Sequence, residues 1–381
     1  MAEFPKLWRV KKSDSGVLCA METHRPNATA DQVLLDVVRS GVLAPSADNE
    51  HVFRFSVSEQ SIDLWPSPEY SATLQRHRRV LGQLSLGAVV QNMTLRAGQL
   101  GFVVRVKWYF GANEGEGNGR LAKLILTPAS GMSETAGLAS VIPKRHTNRK
   151  MYFGPTLTQM EIATLQRQVN DTDAVRLIWP QGRERRRLLK LIWRAESARF
   201  LDQQLHQEIF SSIRFDLSWD KTSDWALPPG ALEIELPMRP LFKALRSWPM
   251  MRMLNRLGVH HLVGLRAGLL PAWQAPGLGV IATTRAPVDG GAIEVGACMQ
   301  RIWLSATQLG LSIQPLAASA VLPLRSESSD LTVDPATSDA NNSWASIVPN
   351  ATPLMVFRIG RAKPPSVISS RRPLSDYSWS G

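Results

Sequence analysis

The chain has 381 residues, 44% of them apolar and 20% charged, with 44 Lys and Arg against 32 Asp and Glu for a net charge of +12. That is room for one large or two ordinary domains with real cores, and it excludes a disordered or fibrous chain. Two cysteines, Cys19 and Cys298, stand without a CxxC or a Cys/His cluster, and the histidines are scattered apart from His260-His261, which excludes a disulfide framework and a structural zinc site.

No run of 18 apolar residues occurs, so no membrane span is expected. The opening "MAEFPKLWRVKKSDSG" lacks an apolar h-region and a cleavage site, and the expected location is the cytoplasm. The basic balance suits nucleic acid, membrane headgroups or an anionic small molecule. Its densest runs, Arg76 to Arg79 and Arg183 to Arg187, carry no zinc finger, RNP-type aromatic pattern or basic zipper. A solvated helix face explains them, and no nucleic-acid or membrane partner is expected.

In chain order, a helix is predicted from about Asp31 to Gly41. A turn rich in Pro, Ser, Asp and Asn follows, and "VFRFSV" then begins a strand. "SLGAVVQNMTLRAGQLGF", Ser85 to Phe102, has helical period: Leu86, Val90, Met93, Ala97 and Leu100 form one stripe. Gly101 fits the position after a helix end, where positive φ favours Gly, and "FVVRVKWYFG" continues as a strand. Next, "PKRHTNRKMYFGP", Pro143 to Pro155, crowds five basic side chains around Thr147 and Asn148. Arg, Thr and Asn together can bind phosphate, although a basic loop in water explains them as well. Thr158 is a plausible cap for a helix through "QMEIATLQRQV".

"LLKLIWRAESARFLDQQLHQEIFSSIRF" reads as one long amphipathic helix. Residues 216 to 270, rich in Trp, Pro and Met and including Trp219, Trp225 and Met238, read either as a lid or as a structural insertion. "EVGACMQRIWLSATQLGL", Glu294 to Leu311, then repeats the earlier helix. Eight of eighteen residues agree at a constant offset of 209, Gly87/Gly296 and Gly101/Gly310 among them. Shared period follows from any two amphipathic helices, but shared Gly, Gln and Gly at fixed offsets do not. The chain therefore reads as two related lobes, residues 1–135 and 136–381, forming a pseudo-two-fold of the kind a fused dimer would give. "LSIQPLAA" and "PLMVFRIGRA" complete the second lobe as strands, before "ISSRRPLSDY" with Arg371 and Arg372.

Four of these stretches resemble, in order, the motifs of the nitroreductase superfamily of flavin enzymes. "LAPSADNEHVFRF" is similar to that family's "APSxxNxQPWxF". "RHTNRKMY" is similar to its phosphate-binding "RRSxRxF". "VGACMQRIWLSATQLGLSIQPL" is similar to "aGxxxqnlxLaAxxlGLgsxPi", and "FRIGRAKPPSVISSRRPL" to "xxIGxpxxxxxxxxRxpl". The chain looks most like the subgroup with two nitroreductase-like halves in one polypeptide, including mycobacterial dormancy-associated members. The resemblance implies an α+β nitroreductase-like fold, sheets flanked by helices, with FMN at the lobe interface.

Residue by residue, it implies that Arg145, Thr147 and Arg149 hold the FMN phosphate and ribityl chain, with Arg371 or Arg372 closing on the phosphate. Pro45, Ser46 and Asn49 would line the flavin ring from the other lobe. Pro315, Leu316 and Ala317 would pass near N5 with a backbone N–H. His51-Val52-Phe53 stands where the family has Gln-Pro-Trp. The first lobe's counterpart of "RHTNRK", Met21 to Thr29, keeps Thr23 and Arg25 but little other charge, and Val175 to Arg187 shows no "APSxxN" loop. One complete site, and one FMN per chain, is expected.

The expected activity is FMN-dependent hydride transfer to or from a small organic substrate, with NAD(P)H as a candidate donor and no catalytic side chain assigned. The alternatives are a flavin-sequestering protein whose lid blocks turnover and a tailoring dehydrogenase acting on a carrier- or peptide-bound intermediate, for which an acidic protein is the candidate partner. The chain is expected to act as a monomeric pseudo-dimer or a weak homodimer.

Overall fold

A computed structural model describes residues 30–73, 75–110, 116–129, 134–325 and 335–379. Cys19 and the stretch Met21 to Thr29 lie outside them. In the first lobe, α1 (Ala30–Val42) leads through a loop to β1 (Phe53–Ser58) and β2 (Ser61–Pro66). The short α2 (Pro68–Ser71) and long α3 (Arg76–Gln99) follow, then β3 (Phe102–Trp108) and β4 (Ala122–Pro128). The strands form an antiparallel sheet in the order β1-β2-β4-β3. Its alternating burial, Phe53 and Phe55 inward in β1, is that of a sheet covered on one face.

A 3-10 segment, Glu134–Lys144, leads to the second lobe and packs Leu138 and Ile142 against Leu95 of α3 and Leu304. There α4 (Gln159–Gln166) precedes β5 (Val175–Ile178), α5 (Gly182–Leu201), α6 (Gln203–Ser211), α7 (Arg239–Ala244), α8 (Trp248–Asn255), α9 (Val259–Gly264) and α10 (Leu270–Gln274). Next come β6 (Gly277–Thr283), α11 (Gly291–Gln308), β7 (Ser312–Pro315), α12 (Ala318–Val321), α13 (Pro335–Ile347) and β8 (Thr352–Gly360). This sheet is also antiparallel, in the order β5-β6-β8-β7. Position for position, that is the first lobe's order. Here β6 is buried along its whole length, because α11 covers one face while Leu188 and Ile192 of α5 and Trp344 of α13 cover the other.

The repeated helices are α3 and α11, and they pack against each other. A Cβ on Gly87 would lie 2.0 Å from the carbonyl oxygen of Ile293, and one on Gly296 would lie 2.0 Å from that of Leu84. These contacts are a reciprocal pair, since 87 + 209 = 296 and 84 + 209 = 293. A second pair behaves alike: Gln300 Nε2 donates to Asn92 Oδ1 at 2.7 Å, and Arg301 Nη1 donates to Gln91 Oε1 at 3.0 Å. With 91 + 209 = 300 and 92 + 209 = 301, swapping the lobes maps each contact onto the other, as an isologous interface requires. Gly101 and Gly310 both follow their helix ends with positive φ, 85° and 71°.

Thr158 caps α4 with a reciprocal box to Glu161. The single long helix expected after Gly182 is instead two, broken at Asp202, whose side chain accepts from the Leu205 N–H at 2.9 Å and so caps α6. The topological counterpart of the Pro45–Asn49 loop is not residues 175–187 but the α4–β5 connection, Arg167 to Ala174, which also lacks an "APSxxN" pattern. The β5–β6 connection, a two-residue hairpin in the first lobe, here holds α5 to α10. Part of it has its own core of Phe200, Phe210, Ile213, Leu245 and Met251.

Candidate functional site

Three segments far apart in sequence meet at the Val42–Asn49 loop. Arg145 Nη2 donates to Leu43 O at 3.2 Å. Arg371 donates through Nε to Val42 O at 2.9 Å, through Nη2 to Ala44 O at 3.0 Å, and through Nη1 to Asn49 Oδ1. The loop is shaped by consecutive left-handed residues, Asp48 (φ 55°) and Asn49 (φ 63°), types that tolerate that region. Asp48 is fixed by Arg78 at 2.6 Å. The tail that carries Arg371 crosses to the first lobe: the Trp379 N–H donates to Phe55 O at 2.7 Å, and Tyr377 stacks on Phe53. Residues 371 to 379 therefore pack on the first lobe, outside the division expected from sequence.

The basic stretch runs beside β7. Thr147 bridges Ile313 in parallel, and the Asn148 N–H donates to Ile313 O at 3.2 Å. Buried Asn148 also donates to Lys363 O at 2.8 Å. Arg145 is 8% exposed and stacks 4.6 Å over Trp303 of α11. Burial and the nearby Arg371 guanidinium lower its pKa to about 9. Burial likewise lowers Arg149 and Arg371.

Arg358, fully buried on β8, sits 3.9 Å over the Tyr152 ring. It donates to Gln314 Oε1 and Lys150 O, both at 2.7 Å, and burial lowers it to about 10. Among the described residues, Arg145, Arg149, Arg358 and Arg371 form no ion pair with a carboxylate. Arg145 Nε, Arg358 Nη1 and Ser46 Oγ are buried without a hydrogen-bond partner. Buried cations lacking a counter-ion are costly, and donors left over beside them favour an anion.

The inserted segment closes on both sides of this region. Asn49 Nδ2 donates to Ser223 O at 3.4 Å, and Arg149 Nη1 donates to Ala231 O at 3.1 Å. The Ser370 N–H donates to Ser223 O at 2.9 Å, Thr222 Oγ1 to Ile368 O at 2.6 Å, and Ser366 Oγ to Glu233 Oε2 at 2.8 Å.

Several sequence expectations change in detail. Arg371 commits its donors to the loop's carbonyls, so it shapes the loop. Arg372 turns toward Trp225, 6.0 Å from the ring centre. Of the three residues expected near a flavin N5, Pro315 has no N–H and the Leu316 N–H is bonded to Val356 O at 2.7 Å, which leaves Ala317. Pro45 and Ser46 lie on the same loop, next to Ala44.

Arg358 was missed, although a lone cation inside the apolar run "PLMVFRIG" was its signal. His51 is buried, and Nε2 is 2.7 Å from Val42 O. Burial and the two flanking arginines lower it to about 3, so it stays neutral. Burial pushes the Cys298 thiol up to about 11, which suits packing rather than nucleophilic chemistry.

No family model matches the chain, and no curated protein does. Among solved structures it is similar to a nitroreductase with bound FMN from Desulfitobacterium hafniense, at 11% identity over 65% of this chain and 97% of that one, TM-score 0.32. It is similar to the FMN-dependent nitroreductase from Mycobacterium smegmatis in complex with NADPH, at 16% over 65% and 100%, TM-score 0.35. A nitroreductase-like protein from Bacillus cereus stands at 13% over 65% and 96%, TM-score 0.32. A likeness this distant does not assign an activity.

Proposed function

We propose that the protein is an FMN-dependent oxidoreductase of the nitroreductase type, built from two fused lobes and binding one FMN per chain between them. The observation that carries this reading is the convergence of the Val42–Asn49 loop with buried Arg145 and half-buried Arg371, whose guanidinium groups have no carboxylate partner and of which Arg145 keeps an unpartnered Nε. A phosphate there would supply the missing negative charge. Arg145, Thr147 and Arg149 would hold it, with Arg358 as a further buried cation behind them. Pro45, Ser46 and Asn49 would face the ring, and Ala317 would offer the remaining N–H. Arg371 acts one step removed, by holding the loop in shape.

Bound FMN would supply hydride transfer at its N5 to or from a small organic molecule. The chain's own work is to bind, orient and exclude water. Neutral His51 holds the loop by donating its Nε2–H to Val42 O and takes up no second proton in the working range.

A second reading, a flavin-holding protein with restricted turnover, is favoured by one specific observation. The carbonyls of Ser223 and Ala231 in the insertion accept from Asn49 and Arg149, residues assigned to the site. The test is anaerobic mixing of the flavin-loaded protein with NADPH or NADH. Rapid bleaching of the flavin band supports the oxidoreductase. A band that resists both nucleotides and bleaches with dithionite supports the second reading.

A further inference from the structure

The insertion carries a surface that the flavin site does not use. From Leu236 to Trp273 the chain has six basic residues, Arg239, Lys243, Arg246, Arg252, Arg256 and Arg266, and no Asp or Glu. Among the described residues, nine of the seventeen strongly exposed large apolar side chains fall in this stretch. They include Leu257 at 80%, Leu236 at 73%, Leu262 and Trp273 at 63% and Met253 at 56% exposed.

The arrangement is ordered by the helices. On α8, Met250 and Met253 face outward and exposed Leu257 follows in the turn just past the helix end, while Met251 is fully buried and Leu254 packs into the insertion's own core. Arg252 and Arg256 flank that apolar line and are exposed. Helix α9 packs against α8 and turns Val263 inward with Leu262 outward. Arg266 is paired with Glu235, but Lys243, Arg246, Arg252 and Arg256 have no carboxylate partner among the described residues.

We infer that this face of the insertion lies on an anionic lipid bilayer, with the Met, Leu and Trp side chains entering the headgroup boundary and the arginines on lipid phosphates. Protruding apolar side chains beside cations without carboxylate partners, with the neighbouring Glu235 neutralised by Arg266, are the composition of an interfacial amphipathic surface. Guanidinium forks suit phosphate. A second copy of the chain presents the same positive charge and is repelled, whereas a protein partner would need a matched pocket for each protruding side chain. From sequence, the basic balance admits membrane headgroups, but the densest basic runs read as a solvated helix face and no membrane partner is expected. No helix among the described residues is long and apolar enough to cross a membrane, and a surface that lies on the bilayer needs none.

The test is co-sedimentation of the full chain with vesicles of phosphatidylcholine alone and of phosphatidylcholine with about 30 mol% phosphatidylglycerol. Binding is expected only to the anionic vesicles, and it should weaken as salt rises from about 0.1 M to about 1 M and the screening length falls from about 10 Å to about 3 Å. The variant Arg252→Gln/Arg256→Gln should bind about thirty-fold more weakly, about five-fold per cation. Leu257→Ser should bind about ten-fold more weakly. Both substitutions are at exposed positions, and unchanged circular dichroism would show that the fold is intact. Failure of the unmodified protein to bind anionic vesicles overturns the inference. So does equal binding to neutral vesicles, or a dimer in lipid-free light scattering that the same variants dissolve. None of these readouts depends on flavin chemistry.

Discussion

Substituting Gly87 or Gly296 by Ala tests the packing on which the two-lobe account rests. Each added Cβ would meet a carbonyl oxygen at 2.0 Å, where ordinary contact needs about 3.2 Å, so the helices must part by about 1.2 Å locally. Overpacking a well-filled core costs about 1–3 kcal/mol, and a carbonyl inside a helix cannot swing away, which places this case at the upper end. Helix propensity returns about 1 kcal/mol, since Ala is the better helix former. The net expectation is a loss of about 2 kcal/mol for either variant, read by urea unfolding followed by circular dichroism. The double variant should lose less than the sum, because a separation made by one Cβ relieves the other. Gly137→Ala, where an added Cβ meets nothing within 4 Å, is the control and should stay within about 0.5 kcal/mol. Unchanged or raised stability in the two helix variants would refute the close-packed pseudo-two-fold.

Other consequences follow from the site. Arg145→Ala should weaken FMN binding about ten- to hundredfold, from the loss of about 1.5–3 kcal/mol, while riboflavin, which has no phosphate, should change little in equilibrium titration. Equal weakening of both would make this arginine a support for the fold. Thr222→Ala/Glu233→Ala removes hydrogen bonds that tie the insertion to the tail, each worth about 1 kcal/mol, and should quicken NADPH reduction up to about thirty-fold with the flavin retained; an unchanged rate argues against a gating role.

His51 sets a pH dependence. Its folded pKa, about 3, lies below the ordinary 6.5, so the unfolded chain binds the extra proton between those values. Stability should therefore fall as pH falls through that window, by up to about 1.4 kcal/mol per unit from this group. His51→Phe should flatten the slope in acid unfolding curves, and an unchanged slope removes His51 as its source.

Much of the fold was legible because it depends on short-range rules. The stripes of α3 and α11, the terminal glycines and the Thr158 box are local patterns, and each is present. The constant 209 offset mattered most, since it foreshadowed the reciprocal contacts of Gly87 and Gly296. The break at Asp202 was less visible: an amphipathic period continues across it, and only the capping role of Asp202 interrupts it.

Of the candidate site, the sequence picked out segments that the structure brings together, but not what each donor does. Arg371 looks like a phosphate ligand until Val42, Ala44 and Asn49 are seen to take its hydrogen bonds. The crossing of residues 371 to 379 onto the first lobe, and the carbonyls of Ser223 and Ala231, are long-range backbone features with no side-chain signature. The asymmetry of the two lobes was readable, because the α4–β5 connection lacks the loop motif whichever segment is taken as its counterpart.

The central claim is one FMN held between two unequal lobes, and the flavin content of the purified chain tests it most directly. After reconstitution with FMN and removal of the excess, heat-released flavin should be FMN alone, at about one equivalent per chain, the count that follows from the one such set of guanidinium groups without carboxylate partners among the described residues. Two equivalents would show that the pseudo-symmetric position between the lobes also binds, and FAD in place of FMN would remove the phosphate assignment. A chain that retains no flavin would contradict the account.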